Sequence, residues 1–226
     1  MTPTNQLILP LAPSTNFSRQ AWIQDASNQQ AAAWVNQWPD WPAPRIVCVH
    51  GEEGSGKTHL AHLWADQAKG VHMDATQAAE KSPYETFTTK QPIALDDVEA
   101  VADQEWLFHF YNFIQDTGGS ALLLATTPPS RWGVTLPDLS SRLQTIISVE
   151  ILRPDEHALK AIMIKQFRDR GLIVKPEVVD YLLKLSERSF AQTNRWVLEL
   201  DRVAATKGRS ITIPLIREIF ASESAV

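Results

Sequence analysis

Eight consecutive residues in the first third of the chain combine the glycines, lysine and threonine that a phosphate site needs. Glycines let successive backbone N–H groups turn inward around phosphate oxygens, because no Cβ atom obstructs them. A lysine at the end of such a loop reaches the β- and γ-phosphates, and the threonine after it can ligate Mg²⁺. The run therefore predicts a P-loop whose nucleotide-binding residues are Gly51, Gly54, Ser55, Gly56, Lys57 and Thr58.

A pair of carboxylates closes an apolar run further along the chain, where a P-loop protein needs a metal-binding acid. Asp96 and Asp97 follow Ile93-Ala-Leu95. Ligands of open α/β sheets bind at the carboxyl ends of the strands, so these side chains are expected beside the P-loop. Asp96 is predicted to hold Mg²⁺ together with Thr58, and Asp97 to polarise the attacking water. Thr127, after a further apolar run, is predicted to contact the γ-phosphate.

Apolar runs alternate with helical patterns between residues 45 and 152, which is typical of a parallel sheet covered on both faces. After Arg153-Pro154 the strand patterns stop and helical patterns follow. The predicted fold is α/β, a P-loop domain with a five-stranded parallel sheet followed by a small all-helical lid domain. Strands are predicted over 45–50, 71–74, 91–97, 121–126 and 145–149. Three parts are expected: an extended tail over 1–15, the nucleotide-binding domain over 16–152 and the helical domain over 153–226.

The composition is that of a globular protein of 226 residues with a formal net charge of −5. The single cysteine, Cys48, lies in an apolar strand pattern and is predicted to be a buried core residue in a reducing compartment. No apolar run approaches the ~20 residues of a membrane span, and no secretory signal precedes the domain. These features predict a cytoplasmic protein that does not enter a membrane.

The order of these motifs resembles the AAA+ family over residues 16–226. Within that family the chain resembles DnaA-like proteins of the Hda type, on the stretches Gln6-Leu-Ile-Leu-Pro-Leu11, Leu136-Pro-Asp-Leu-Ser-Ser-Arg-Leu143 and Leu200-Asp-Arg with Ile211-Thr-Ile-Pro214. The resemblance implies a regulator that binds ADP or ATP with Mg²⁺ and the DNA polymerase sliding clamp. It also implies stimulation of ATP hydrolysis by the initiator DnaA, which prevents re-initiation of replication. No intrinsic DNA-binding domain is expected, and homo-oligomerisation stays open.

The resemblance also carries roles for particular residues. Arg142, on an exposed helical turn, corresponds to the arginine finger that acts in trans on the partner's nucleotide. Arg195 is favoured as the second sensor of the lid, with Asn194, Ala191 and Arg188 as alternatives. The segment Ala125-Thr-Thr-Pro-Pro129 departs from the DnaA pattern, so slow hydrolysis by the chain itself is expected. The residues matching the clamp motif are Gln6, Leu7, Leu9, Pro10 and Leu11.

Two other functions fit a P-loop chain of this size. One is a self-contained ATPase or small-molecule kinase, but the sequence offers no residues for an acceptor-substrate pocket. The other is a DnaA-like replication factor that acts directly on DNA, against which the acidic balance of the chain counts. Trp22 and Phe17, just before the nucleotide-binding pattern, are hypothesised to border the adenine.

Overall fold

The computed structural model of the chain describes residues 22–185 and 189–223. Its strands are β1 (Ile46–Gly51), β2 (Val71–Asp74), β3 (Pro92–Asp96), β4 (Ser120–Ala125) and β5 (Ile147–Ile151). Its helices in the first part are α1 (Gln29–Asn36), α2 (Lys57–Ala68), α3 (Ala75–Ala78), α4 (Pro83–Thr86), α5 (Gln104–Thr117) and α6 (Pro137–Leu143). They are followed by α7 (Glu156–Asp169), α8 (Pro176–Leu185), α9 (Phe190–Lys207) and α10 (Ile213–Glu223).

The five strands form one sheet in the order β2-β3-β4-β1-β5, and every pair is parallel. The predicted parallel sheet is thus confirmed, with β5 starting two residues later than expected. All six residues of β1 are buried, because helices cover both faces of the sheet. Side chains alternate between two apolar clusters: Val47 and Val49 point to one, Ile46 and Cys48 to the other. Because all strands run in the same direction, the residues that follow each strand lie at one edge of the sheet, where α2 begins.

Flanking residues explain where α5 begins and ends and where α2 begins. The Asp103 side chain accepts hydrogen bonds from the first backbone N–H groups of α5, and Gly118 ends that helix in the left-handed conformation. Helix α2 follows Gly56, also left-handed, so the glycine loop turns directly into its first turn. The short helices α3 and α4 lack enough residues to show a periodic pattern and were not predicted.

Helices α7 to α10 form the lid, and the predicted boundary at residue 153 lies between β5 and α7. Asp155 caps α7 by accepting a hydrogen bond from the Ala158 N–H at 2.7 Å. Met163 and Phe167 of α7 belong to the same apolar cluster as the β1 side chains Val47 and Val49, so the lid continues one core of the sheet domain. In the described part of the chain, no helix combines the length and apolar character that crossing a membrane requires.

Candidate functional site

The loop between β1 and α2 has the backbone of a phosphate cradle. Gly54 and Gly56 have φ angles of +77° and +94°, a region that residues with a Cβ atom rarely adopt. A Cβ atom on Gly56 would lie 3.0 Å from the Trp22 ring, and one on Gly54 would lie 2.5 Å from Asn194 Nδ2. The loop is thus packed between the segment before α1 and the lid, with space only for glycine.

Lys57 is folded back over this loop. Its Nζ atom donates hydrogen bonds to the carbonyl oxygens of Gly51 at 2.8 Å and Glu52 at 3.0 Å. The residue is 7% exposed. Burial lowers the pKa of Lys57, and the nearby carboxylates, led by Asp96, oppose that shift. The arrangement is a buried cation beside a nest of backbone N–H groups, which suits a polyphosphate.

Thr58 and Asp96, the pair predicted to share a metal ion, are in direct contact. Thr58 Oγ1 donates a hydrogen bond to Asp96 Oδ2 at 2.6 Å. His72 Nε2 lies 3.6 Å from the same carboxylate oxygen, and the His72 ring stands 4.3 Å from the His62 ring. Burial raises the pKa of Asp96, but the nearby His72 and the hydrogen bond from Thr58 outweigh it, so that the net shift is downward. A carboxylate and a hydroxyl are the oxygen ligands that Mg²⁺ takes.

His72 could not be identified from the sequence, because nothing in its local pattern connects it with Asp96. The two residues become neighbours only because β2 pairs with β3, with Asp74 opposite Asp96. Strand pairing depends on the tertiary fold and not on the local sequence. A histidine in a short, half-buried strand does not by itself indicate a site.

Asp97 sits in the left-handed conformation, with φ of 54°, directly after β3. Its backbone N–H donates to Asp96 Oδ1 at 3.1 Å, which ties the Asp96 carboxylate to the backbone after β3. Burial, followed by the charges of Asp96 and Asp74, raises the pKa of Asp97. The side chain is exposed at the strand edge where a water could approach it. Its role as a base stays a prediction.

Glu99 is a functional candidate that the sequence analysis did not identify. Its carboxylate accepts hydrogen bonds from the backbone N–H of Thr126, at 2.7 and 2.8 Å, and from that of Thr127 at 3.2 Å. The Thr126 hydroxyl also donates to it. On the other side, Trp132 Nε1 donates to the Thr127 carbonyl oxygen at 2.9 Å. Glu99 and Trp132 therefore both hold the end of β4, and the predicted sensor Thr127 is hydrogen-bonded to each of them through its backbone.

A cavity of about 110 Å³ lies between the P-loop, the segment before α1 and the lid. Trp22 lines it and meets the His59 ring edge-on at a centroid distance of 5.3 Å. The hypothesis that Trp22 borders the adenine therefore has a place in the structure, whereas Phe17 lies outside the described residues. The walls combine apolar side chains with polar groups, as ligand pockets do. They come from Trp22, Ile23, Asn28, His59, Ile162, Lys165, Gln166 and Phe190, together with Gly54, Ser55 and Gly56.

The lid approaches the P-loop through Asn194 rather than through Arg195. Asn194 Nδ2 is the atom that a Cβ on Gly54 would meet first, and Asn194 Oδ1 accepts a hydrogen bond from Gln166 of α7. Arg195 is exposed and lines a neighbouring cleft with Glu53 and Glu199. Of the four candidates for the second sensor, Asn194 is thus in contact with the loop and Arg195 beside it. Ala191 has its backbone N near Gly54, and Arg188 lies outside the described residues.

Arg142 occupies α6 but is not the exposed side chain that the sequence analysis expected. The residue is half-buried, and its guanidinium carbon lies 4.2 Å from the centroid of the Phe108 ring and 5.2 Å from that of Tyr111. Its Nη1 atom donates a hydrogen bond to Asn112 Oδ1. All three partners belong to α5, and none of them lines the nucleotide cavity. A bulky aromatic surface on α5 covers the arginine, which a pattern search of α6 alone could not reveal.

The predicted clamp-binding residues cannot be placed. Gln6, Leu7, Leu9, Pro10 and Leu11 all lie outside the described residues.

Two comparisons with known proteins agree with this geometry. Residues 155–220 match the family model of the Hda lid domain. Domain III of the replication initiation protein DnaA from Thermotoga maritima superposes with a TM-score of 0.73 at 18% identity, covering 88% of this chain and 93% of that one.

Two further solved structures share the fold at lower similarity. AMPPCP-bound DnaA from Aquifex aeolicus gives a TM-score of 0.66 at 20% identity, covering 87% of this chain and 68% of that one. The RuvB Holliday junction branch migration motor of Thermotoga maritima gives 0.64 at 16%, covering 90% and 70%. Identities this low establish the fold alone, and the family match is confined to the lid. The chain thus has the fold of DnaA domain III, and its residues 155–220 match the Hda lid domain.

Proposed function

We propose that this chain is a regulatory AAA+ protein that binds an adenine nucleotide and stimulates ATP hydrolysis by the initiator DnaA. The observation that carries the proposal is the separation of two sets of groups. Lys57, Thr58 and Asp96 converge on the P-loop, whereas Arg142 contacts α5 and none of the residues around that loop. An arginine that does not serve its own phosphate site is free to serve that of a partner.

The ligand of the P-loop site is an adenine nucleotide, ADP or ATP. Support comes from the glycine loop, the buried Lys57 and the cavity that Trp22 borders, and from a DnaA structure of the same fold that is bound to AMPPCP. The Thr58 hydroxyl and the Asp96 carboxylate fit Mg²⁺, which would neutralise phosphate charge at this position. The P-loop residues themselves hold the phosphates, and Asp97 follows β3 beside them.

Arg142 acts in trans as an arginine finger on the nucleotide of DnaA. A guanidinium stabilises the charge that develops on a transferred phosphoryl group, and such fingers contribute about 10³–10⁵ in kcat. The Phe108 ring and the Asn112 amide hold the guanidinium at the surface of α5, which limits the conformations it must lose on reaching a phosphate. The chain's own hydrolysis is slow, because the backbone N–H of the predicted sensor Thr127 already donates to Glu99.

Reconstituted hydrolysis of DnaA-bound ATP, with DNA-loaded clamp present, tests this function. The wild-type chain should accelerate the reaction, and Arg142→Ala should reduce the acceleration at least a hundredfold while nucleotide binding stays unchanged. Arg168→Ala, an exposed arginine of the lid, is the matched control and should behave as wild type. Stimulation by Arg142→Ala at the wild-type rate would remove the finger assignment. If the chain alone hydrolysed ATP as fast as the stimulated reaction, a self-contained ATPase would be favoured.

The clamp contact is the second part of the proposal and rests on residues 6–11. An extended segment with Leu9 and Leu11 as apolar anchors and Pro10 to limit its conformational freedom suits a groove on the clamp. Replacing Gln6, Leu9 and Leu11 with alanine should abolish retention on immobilised clamp while nucleotide affinity is preserved. Retention at the wild-type level would exclude this segment as the clamp contact. A chain with these partners would act in the cytoplasm, which its buried free cysteine, Cys48, supports.

A further inference from the structure

Gln104, the first residue of α5, holds the backbone that leads into α6. Its Oε1 atom accepts hydrogen bonds from the backbone N–H of Thr135 at 2.9 Å and from that of Leu136 at 3.0 Å. The Thr135 hydroxyl donates to the same atom at 3.2 Å. One side-chain oxygen thus fixes two consecutive residues of another segment, 31 and 32 positions further along the chain.

The residues that lead into α6 do not set its direction by themselves. Gly133 adopts a φ of +65°, with open space where a Cβ atom would lie. Leu136, the N-cap residue of α6, is apolar and makes no capping hydrogen bond. Val134 and Leu136 pack on an apolar cluster of the sheet domain, but apolar contacts are not directional. The three hydrogen bonds to Gln104 therefore set the direction in which the chain enters α6.

The other end of α6 is tied to the same helix. The Thr145 hydroxyl donates to the Arg142 carbonyl oxygen at 2.7 Å and lies 3.2 Å from the Tyr111 hydroxyl of α5. Two points define the axis of a rigid helix. For α6 they are the Gln104 contact at its start and the Tyr111 contact at its end, and Arg142 lies in the last turn.

The length of α6 determines how far Arg142 follows a change at the start of the helix. An α-helix rises about 1.5 Å per residue, so Arg142 lies about 9 Å along the axis from Leu136. A tilt of α6 by about 10° moves one end by about 1.6 Å relative to the other. Misplacing a group that acts on a reacting centre by about 1 Å can cost about a hundredfold in rate. The direction of the Arg142 guanidinium therefore depends on the hydrogen bonds of Gln104.

We propose that Gln104 is a positioning residue for Arg142, because it sets the axis of α6 and with it the direction in which the guanidinium is presented to the nucleotide of a partner. The inference rests on the proposed function, in which Arg142 acts in trans. It adds a residue that does not line the nucleotide cavity and acts only through the backbone before α6.

Stimulation of DnaA-bound ATP hydrolysis by increasing amounts of the full chain, with DNA-loaded clamp, gives a maximal rate and a half-saturating concentration. Gln104→Leu keeps the approximate size of the side chain and removes the acceptor, so the maximal rate should fall about tenfold. The half-saturating concentration should stay within about twofold, since the surface that meets the partner keeps its side chains. Gln104→Glu keeps an acceptor oxygen at the position of Oε1 and should restore at least about half of the wild-type rate.

Gln115→Leu is the matched control on the same helix. The Gln115 amide donates to the Pro44 carbonyl oxygen at 2.7 Å and so ties α5 to the loop before β1 and not to α6. This variant should stimulate as wild type, and an equal decrease in Gln104→Leu and Gln115→Leu would show that lost stability is responsible. Each variant should bind ADP as wild type, which shows that it is folded. If Gln104→Leu does not, Gln104→Asn takes its place, because its shorter amide cannot reach both N–H groups.

Two results would overturn the role of Gln104. One is a Gln104→Leu chain that reaches the wild-type maximal rate, or that loses stimulation only through a higher half-saturating concentration. The other is a Gln104→Glu chain as slow as Gln104→Leu.

Failure of the proposed function gives a different result. If Arg142→Ala stimulates at the wild-type rate, the finger assignment fails and the inference with it. If Arg142→Ala abolishes stimulation and Gln104→Leu preserves it, only the role of Gln104 is overturned.

Discussion

The nucleotide end of the sheet and the face that carries Arg142 hold their charged side chains in different ways. At the nucleotide end, Lys57 and Asp96 are anchored to the backbone and to a neighbouring hydroxyl, with bonds of 2.6 to 3.0 Å. On the other face, one cation rests on the Phe108 ring with a single amide as its polar partner. Groups of the first kind are built for tight binding in one geometry. A side chain of the second kind can leave its place at small cost.

The contrast predicts that replacing an anchored group of the first region costs nucleotide affinity directly, whereas replacing a group that supports Arg142 changes the stimulation only modestly. Among the effects on nucleotide affinity, that of Lys57→Ala should be the largest, because a charged group that donates to the β-phosphate contributes up to about 3 kcal/mol, or roughly a hundredfold in affinity. Titration with ADP and Mg²⁺ measures the loss. Lys81→Ala, an exposed lysine away from the loop, should bind as wild type. Affinity within about threefold of wild type for Lys57→Ala would contradict the assigned site.

Gly54→Ala tests whether the lid and the P-loop form one surface. The substitution forces alanine to a φ of +77°, at about 1–2 kcal/mol, and also places a Cβ atom 2.5 Å from Asn194 Nδ2. Pushing α9 away from the loop should weaken ADP binding about tenfold, as measured by titration. Combining Gly54→Ala with Asn194→Ala removes the clash, so the double variant should recover part of the affinity.

The matched control for this prediction is Gly133→Ala. Gly133 has a φ of +65° and no heavy atom within 4 Å of the place a Cβ would occupy. Its alanine variant should lose a similar amount of stability but none of the nucleotide affinity. An equal loss of ADP affinity in both variants would mean that general destabilisation, and not the contact with Asn194, is responsible.

The same contrast explains how far the sequence predicts the site. Gly54, Lys57 and Thr58 lie in one short segment, and Asp96 ends an apolar run. The types and spacing of these residues predicted the phosphate site, and the alternation of apolar runs with helical patterns predicted the parallel sheet. The bonds of Lys57 to Gly51 and Glu52 arise within the same loop. Interactions within one short segment leave a signature in that segment.

Contacts between distant segments left no such signature. Glu99 contacts Thr126 only because β3 lies beside β4, and Phe108 covers Arg142 only because α5 packs on α6. The choice between Arg195 and Asn194 depended on the rotation of α9 by about 100° per residue, which helical periodicity alone does not orient toward the loop. Predicting these contacts requires the packing of the elements.

Phe108→Leu tests the surface of α5 that supports Arg142. A cation stacked on an aromatic ring at the surface gains about 0.5–1 kcal/mol, so replacing the ring should lower the stimulation of DnaA-bound ATP hydrolysis two- to fivefold. Nucleotide affinity of the variant should not change, because none of the residues around the cavity is touched. Tyr84→Leu, which removes an exposed aromatic that packs edge-on against Phe113 near the same helix, is the control. Faster stimulation by Phe108→Leu would mean that the ring restrains Arg142 and does not position it.

The smallest expected effect is a pH dependence of folding that originates beneath the P-loop. His50, at the end of β1, is 9% exposed, and burial lowers the pKa of its imidazole. Between that lowered value and 6.5, the unfolded chain binds more protons than the folded one, so the free energy of unfolding rises with pH across this window. Stability should therefore fall on acidification from about pH 7 to 5, by at most about 1.4 kcal/mol per pH unit for one proton.

Urea unfolding of wild type and of His50→Gln at both pH values isolates this contribution. Burial lowers the pKa of His62 as well, so the variant should retain a weaker dependence on pH. Asp96 does not interfere, because the pKa of its carboxyl is lowered from 3.8 in the folded chain and its contribution is lost only as the pH falls below that value. An identical decrease in stability for wild type and His50→Gln would show that His50 is protonated equally in both states. Since His50 precedes Gly51, that result would mean that water reaches the base of the loop that holds Lys57.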